Sequence, residues 1–202
     1  MSRQVATFAK VNTYAESDLI FGFPDSWTVR QFDRTTAYRS VSGHGLKGVD
    51  FLALDADDGV WLVEVKNFRR RDEHTRMLRR DPEALARHVG TKFTDTRRLI
   101  RVMRRAMDRK WWMGIHLWWQ GLRRRGAGAS HYVFWQEVAR RVEYGRVTCL
   151  LWLETPEKAK DYNEAVREAL LEHLPCGDRL IVAETDDGPI LPVHVLIKTA
   201  EV

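Results

Sequence analysis

Asp50, Glu64 and Lys66 are the residues whose types and spacing most invite chemistry. They interrupt a stretch made otherwise of strand formers, Val49, Phe51, Leu52 and Leu54, then Val60, Trp61, Leu62, Val63 and Val65. A charge there is costly unless something compensates it. Two carboxylates are hard oxygen donors of the kind that hold Mg²⁺ or Mn²⁺ together with phosphate and water. An ammonium beside them stabilises charge developing on phosphate or orients a water nucleophile. That chemistry requires the three side chains to share one face.

The turn between the two apolar runs supplies a register. Asp57-Asp58-Gly59 has the composition of a three-residue hairpin loop, with Gly59 as the residue that tolerates the left-handed conformation. Such a loop pairs Ala56 with Val60 and, counting back, sets Asp50 opposite Lys66. Glu64 and Lys66 share a face by strand alternation, so the three groups converge within about 5 to 8 Å. A slip of one residue would turn Asp50 to the other face.

Asp50 followed by Glu64-Val65-Lys66 on the next strand resembles the signature of the PD-(D/E)xK phosphodiesterases, the restriction-endonuclease-like nucleases. Val49 stands where proline precedes the first aspartate in the family's name, and the literal Pro24-Asp25 reads better as a turn before a strand. The resemblance implies an α/β fold with an αβββαβ core and a mixed central sheet flanked by helices. It implies divalent-metal-dependent cleavage of nucleic-acid phosphodiesters, with Mg²⁺ or Mn²⁺ ligated by Asp50, Glu64 and the carbonyl of Val65, and Lys66 as the catalytic lysine. Many members carry a further acidic residue on the first helix, a position that Glu16 would fill.

The elements that must position these groups follow from local signals. A helix is expected over residues 14–20, a strand over 27–32 that continues or resumes over 35–40, and then the hairpin over 49–66. Asp81-Pro82-Glu83 carries a helix start, with an acidic N-cap, proline at the first helical position and an acid in the first turn. From it a helix runs to about Met107 with Leu85, Val89, Phe93, Leu99, Ile100 and Met103 on its buried stripe. His88 and Lys92 lie on one face of that helix, which often packs across the active centre in the family. A buried strand is expected over 148–154, and a helix opening at Thr155-Pro156-Glu157 with Tyr162, Val166, Ala169, Leu170 and Leu174 at helical spacing. Strands over 179–184 and 192–198 are joined by Asp186-Asp187-Gly188.

Charge adds the partner. Residues 67–126 hold 18 Lys/Arg against 6 Asp/Glu, a net +12 in a chain whose total is +5. This block begins beside Lys66 with Arg69, Arg70 and Arg71. It continues through Lys92, Arg97, Arg98 and Arg101, and closes with Arg123, Arg124 and Arg125. Concentrated positive charge next to a metal site suits a polyanionic backbone, so nucleic acid is the expected partner, DNA favoured over RNA. His44 and Lys47, just before Asp50, stand where they would touch phosphate, although loop polarity explains them equally.

The remaining features bound the answer. The 202 residues, 44% of them hydrophobic, suit one domain spanning the chain. Cys149 and Cys176 have no ligand spacing, which speaks against a zinc site or a disulfide framework. The lack of a long apolar run or signal-peptide pattern leads to the expectation of a cytoplasmic protein. Four tryptophans between Trp111 and Trp119 form a Trp/Arg-rich segment expected as an insertion over about 108–146, together with a helix over 131–143. Core or oligomer contact is its favoured role, ahead of base stacking and membrane contact. The expectation is thus a metal-dependent endonuclease, either a homodimer or a subunit of a larger complex. The competing expectation is a non-catalytic nucleic-acid-binding subunit.

Overall fold

Period-two burial begins the chain. Leu19, Phe21 and Phe23 are all fully buried at alternate positions, which suits a strand with one covered face. The computed structural model describes residues 11–41, 45–68, 81–108, 130–155, 160–185 and 191–197. In it β1 (Val11–Glu16) and β2 (Leu19–Pro24) form an antiparallel hairpin. Its turn is Ser17-Asp18, with φ of 50° and 65°. Positive φ at both central residues matches the twist of the flanking strands. A strand pair therefore replaces the helix expected over 14–20.

Next come β3 (Thr28–Gln31) and a short helix α1 (Thr36–Val41), which stands where a strand was expected to resume. Thr35 explains the difference: its hydroxyl accepts the Tyr38 N–H at 3.2 Å, a helix N-cap. The central hairpin follows as β4 (Phe51–Leu54) and β5 (Gly59–Asn67). Then α2 (Pro82–Asp108) starts where expected, with Asp81 accepting the Ala84 N–H at 3.2 Å. The chain continues through α3 (Ser130–Tyr144), β6 (Arg146–Glu154), α4 (Lys160–Glu172), β7 (Arg179–Ala183) and β8 (His194–Ile197).

Five strands form a mixed sheet in the order β3-β4-β5-β6-β7, antiparallel from β3 to β5 and parallel from β5 to β7. The parallel pairs need crossovers, and α2 and α4 lie in them. A second sheet, β1-β2-β8, is antiparallel. Strands β7 and β8 thus belong to different sheets, and the turn expected between them at Asp186-Asp187-Gly188 lies outside the described residues.

The layers are helices, five-stranded sheet, three-stranded sheet. On one face Leu52, Leu62, Cys149 and Leu151 pack with Leu85, Val89 and Phe93 of α2, Val138 of α3, and Val166 and Leu170 of α4. On the other, Phe51, Trp61, Val63 and Trp152 meet Leu19, Phe21 and Phe23. Cover on both faces accounts for the continuous apolar runs of β4, β5 and β6. Helix α3, expected as part of an insertion, contributes Phe134, Trp135, Val138, Ala139 and Val142 to the first core. The tryptophan-rich segment 111–119 lies outside the described residues, as does the helix-start signal at Pro156-Glu157. No helix among the described residues is long and apolar enough to cross a membrane.

Candidate active site

The β4–β5 hairpin closes one residue earlier than its composition suggests. Leu54 pairs with Val60 and Phe51 with Val63, and the Asp55 N–H donates to the Gly59 carbonyl at 3.2 Å. The loop is therefore Ala56-Asp57-Asp58, with Asp58 rather than Gly59 left-handed at φ 60°. Asp55 shapes it: one carboxylate oxygen accepts the Asp57 and Gly59 N–H groups at 2.9 and 2.6 Å, the other the Trp61 indole N–H at 2.9 Å. A Cβ on Gly59 would overlap that carboxylate. A one-residue shift of the loop moves the register by two. The pairs end at Phe51 with Val63, and the Asp50 N–H donates to the Val63 carbonyl at 3.1 Å, so Asp50 lies beside this end of the ladder and not opposite Lys66, while an even shift keeps all three groups on the face they were expected to share.

That face looks toward the helices. Glu64 has no solvent exposure. Its Oε1 lies 2.6 Å from Lys66 Nζ and 2.7 Å from Lys92 Nζ, while Oε2 accepts a hydrogen bond from Lys92 at 2.9 Å. Neither approach to Oε1 has hydrogen-bond alignment, so this buried oxygen has close cations but no directional donor. Asp50 Oδ2 accepts the Val65 N–H at 2.7 Å, and Oδ1 lies 4.0 Å from Lys92 Nζ. The ladder pairs of β4 end at Phe51, so Val65 has the Asp50 carboxylate where a strand neighbour would otherwise bond. Because N–H and C=O of one residue leave a strand on the same side, the Val65 carbonyl faces that side too.

Asp50 is positioned through the preceding loop and through α2. The Lys47 N–H donates to Asp95 Oδ2 at 3.2 Å, the Val49 N–H to Thr96 Oγ1 at 3.0 Å, and the Gly48 N–H to the Tyr38 hydroxyl at 3.4 Å. A Cβ on Gly48 would come within 2.7 Å of the Phe32 ring and 2.8 Å of Tyr38. Gly48 therefore admits two aromatic rings against the backbone. The carbonyl of Asp50 accepts the Phe32 N–H at 2.8 Å.

Electrostatics follow from this enclosure. Burial, then the charge of Glu64, pushes the Asp50 carboxyl up to about 7 against the opposing pull of Lys92, the Val65 N–H and Lys66. For Lys92, burial acts to lower the ammonium's pKa, but Glu64 and Asp50 outweigh it and the net direction is upward. His88, one turn before Lys92, is held below the usual imidazole range by burial and then by Lys66, Lys47 and Lys92.

The expected site residues thus divide. Asp50, Glu64, Lys66 and Lys92 come together. Glu16 ends β1 and pairs with Arg34 at 3.6 Å, so no first helix presents it. Arg97, expected on nucleic acid, is buried and forms an ion pair with Asp178. Arg98 pairs with Asp95 at 3.5 Å and Arg101 is exposed. Arg69, Arg70, Arg71, Arg123, Arg124, Arg125 and His44 lie outside the described residues. Asp95, Thr96 and Tyr38 were not singled out in the sequence. Asp95-Thr96 interrupts the apolar stripe of α2 just after Phe93, and that is the signal that marks them.

In donor chemistry the site suits a divalent ion. Two carboxylates share a face, one carries an oxygen without a directional donor, and a strand carbonyl faces the same side. Among the described residues no group of three or more His, Cys, Asp or Glu is placed to hold a metal. Asp50 and Glu64 could supply two side-chain ligands and leave other positions to water and phosphate, as Mg²⁺ commonly has it. The chain matches no protein-family model, no curated protein and no solved structure.

Proposed function

We propose that the protein is a divalent-metal-dependent nuclease that hydrolyses phosphodiester bonds, with DNA the favoured substrate, on a restriction-endonuclease-like core. One observation carries the reading: Asp50, Glu64 and Lys66 meet on a single sheet face where β4 begins, with a second lysine from α2 against them. The order β3, β4, β5, α2, β6 supports it as the βββαβ part of such a core. Here the β1–β2 hairpin precedes that part, and α1 and α3 are inserted within it.

Asp50, Glu64 and the Val65 carbonyl would hold a Mg²⁺ or Mn²⁺ ion, which when bound supplies neutralising charge at the phosphate and activates water. Lys66, on the pleat beyond Glu64, orients the attacking water and stabilises negative charge on the pentacovalent phosphate. Attack forms a bond from the water oxygen to phosphorus and breaks the bond to one sugar oxygen, which leaves with a proton. Cutting both strands of a duplex would call for a second copy.

Ion pairing of Glu64 to two lysines also favours a second reading, a nucleic-acid-binding subunit without turnover. A single experiment separates the two. Purified protein is incubated with single- and double-stranded DNA and RNA in Mg²⁺, Mn²⁺ or EDTA, beside Asp50→Ala and Lys66→Ala. Metal-dependent cleavage reduced by about 10² or more in each variant is expected. Binding without cleavage by any of the three proteins would establish the non-catalytic reading.

A further inference from the structure

We propose that Lys92 is the site's own resting cation, seated between Glu64 and Asp50, and that a divalent ion enters as a nucleic-acid phosphate draws this ammonium away. The inference rests on reading the site as a metal centre. Lys92 Nζ grips both oxygens of Glu64, at 2.7 and 2.9 Å, and stands 4.0 Å from Asp50 Oδ1. It therefore occupies the space that an ion shared by the two carboxylates would need. Lys66 reaches only Oε1 of Glu64, at 2.6 Å, from the same strand.

Charge balance gives the coupling. Two carboxylates and two ammonium ions are neutral together, so a divalent ion added to that set leaves two uncompensated positive charges in a largely buried place. With Lys92 withdrawn to one phosphate, the carboxylates, Lys66, the ion and a second phosphate again sum to zero. The four-carbon stem of lysine permits such a swing. Metal and nucleic acid then each tighten the other's binding, as linkage requires.

Mn²⁺ titration calorimetry on the uncleaved free protein tests this. Lys92→Met should bind Mn²⁺ about tenfold more tightly than wild type, the scale on which one adjacent charge shifts a carboxylate's affinity for a proton. A phosphorothioate DNA oligonucleotide should tighten Mn²⁺ binding to wild type and add little in Lys92→Met. Equal or weaker binding by Lys92→Met, with Asp50→Asn abolishing uptake, would overturn the competition and leave the metal centre standing. Absence of Mn²⁺ uptake by both wild type and Lys92→Met would overturn both. Should Lys92→Met fail to fold by circular dichroism, lysine ¹³Cε NMR of wild type decides. Mg²⁺ with the oligonucleotide must shift the Lys92 resonance, and an unmoved resonance overturns the proposal.

Discussion

A carboxylate without exposure and with two ammonium groups within 2.7 Å tolerates few replacements. Glu64→Ala would leave Lys66 and Lys92 facing each other without their common counter-ion, and should cost about 3 kcal/mol in urea unfolding. Glu64→Gln keeps the volume and should cost less, while the proposed cleavage should be lost in both. Asp50 gives a pH signature. Its carboxyl holds a proton more tightly when folded, to about 7 against 3.8, so the folded state binds more protons between those values. The metal-free protein should therefore lose stability as pH rises from about 4 to 7, by a few kcal/mol at most, and level off above. Denaturant titrations in EDTA check this, and Asp50→Asn should flatten the slope. The identities of Asp50, Glu64 and Lys66 were legible in the sequence because charges among strand formers demand compensation. Lys92 was visible only as a lysine on the right helix, since nothing local tells how far α2 reaches over β5.

At the scale of elements, the central hairpin shows how a nearly correct reading can still name the wrong partner. Glycine was taken as the left-handed residue, but Asp58 adopts that conformation and Gly59 instead clears space for the Asp55 carboxylate. Gly59→Ala should destabilise the protein by about 1 to 3 kcal/mol, and differential scanning calorimetry would show the lowered Tm. The same hairpin is tied to α3 by Arg141, which donates to the carbonyls of Asp55 and Gly59 at 3.0 and 3.2 Å and pairs with Asp58 and Glu137. Hydrogen bonds from Arg140 and Arg141 hold Glu137 down to about 2. That contribution is present above the ordinary carboxylate range and fades as pH falls toward 2, and its exposure keeps it small. The long helix α2 and the buried strand β6 were legible from capping chemistry and apolar runs. The β1–β2 hairpin was not, because Ser17-Asp18 carries no glycine to announce its turn. The α1 helix was missed because its signal rests on one N-cap threonine.

For the whole molecule, much of the described part of the arginine block is engaged within the fold. Arg97 pairs with Asp178, Arg104 with Glu143 and Arg87 with Glu83. Under the proposed function, phosphate contacts would fall to exposed residues such as Arg101 and to the flanking basic runs. DNA affinity should fall with salt, and Arg123→Ala, Arg124→Ala and Arg125→Ala combined should reduce the log–log slope by about 2 to 3, measured by fluorescence anisotropy in EDTA. Helix α2 joins most of the layers: at 27 residues it runs about 40 Å. Along that length it packs Gly90 against His173 and Leu170, sends Lys92 to Glu64, and pairs Arg97 and Arg104 with distant acids. Between those points Thr96 accepts the Val49 N–H one residue before Asp50. A single amide proton is thereby placed as a gauge of the helix's seating: its exchange with solvent requires the Thr96 bond to open, and with it the hold of α2 on the Asp50 strand. Hydrogen-exchange rates at Val49, read with and without DNA, would report whether nucleic acid changes how firmly α2 sits on that strand.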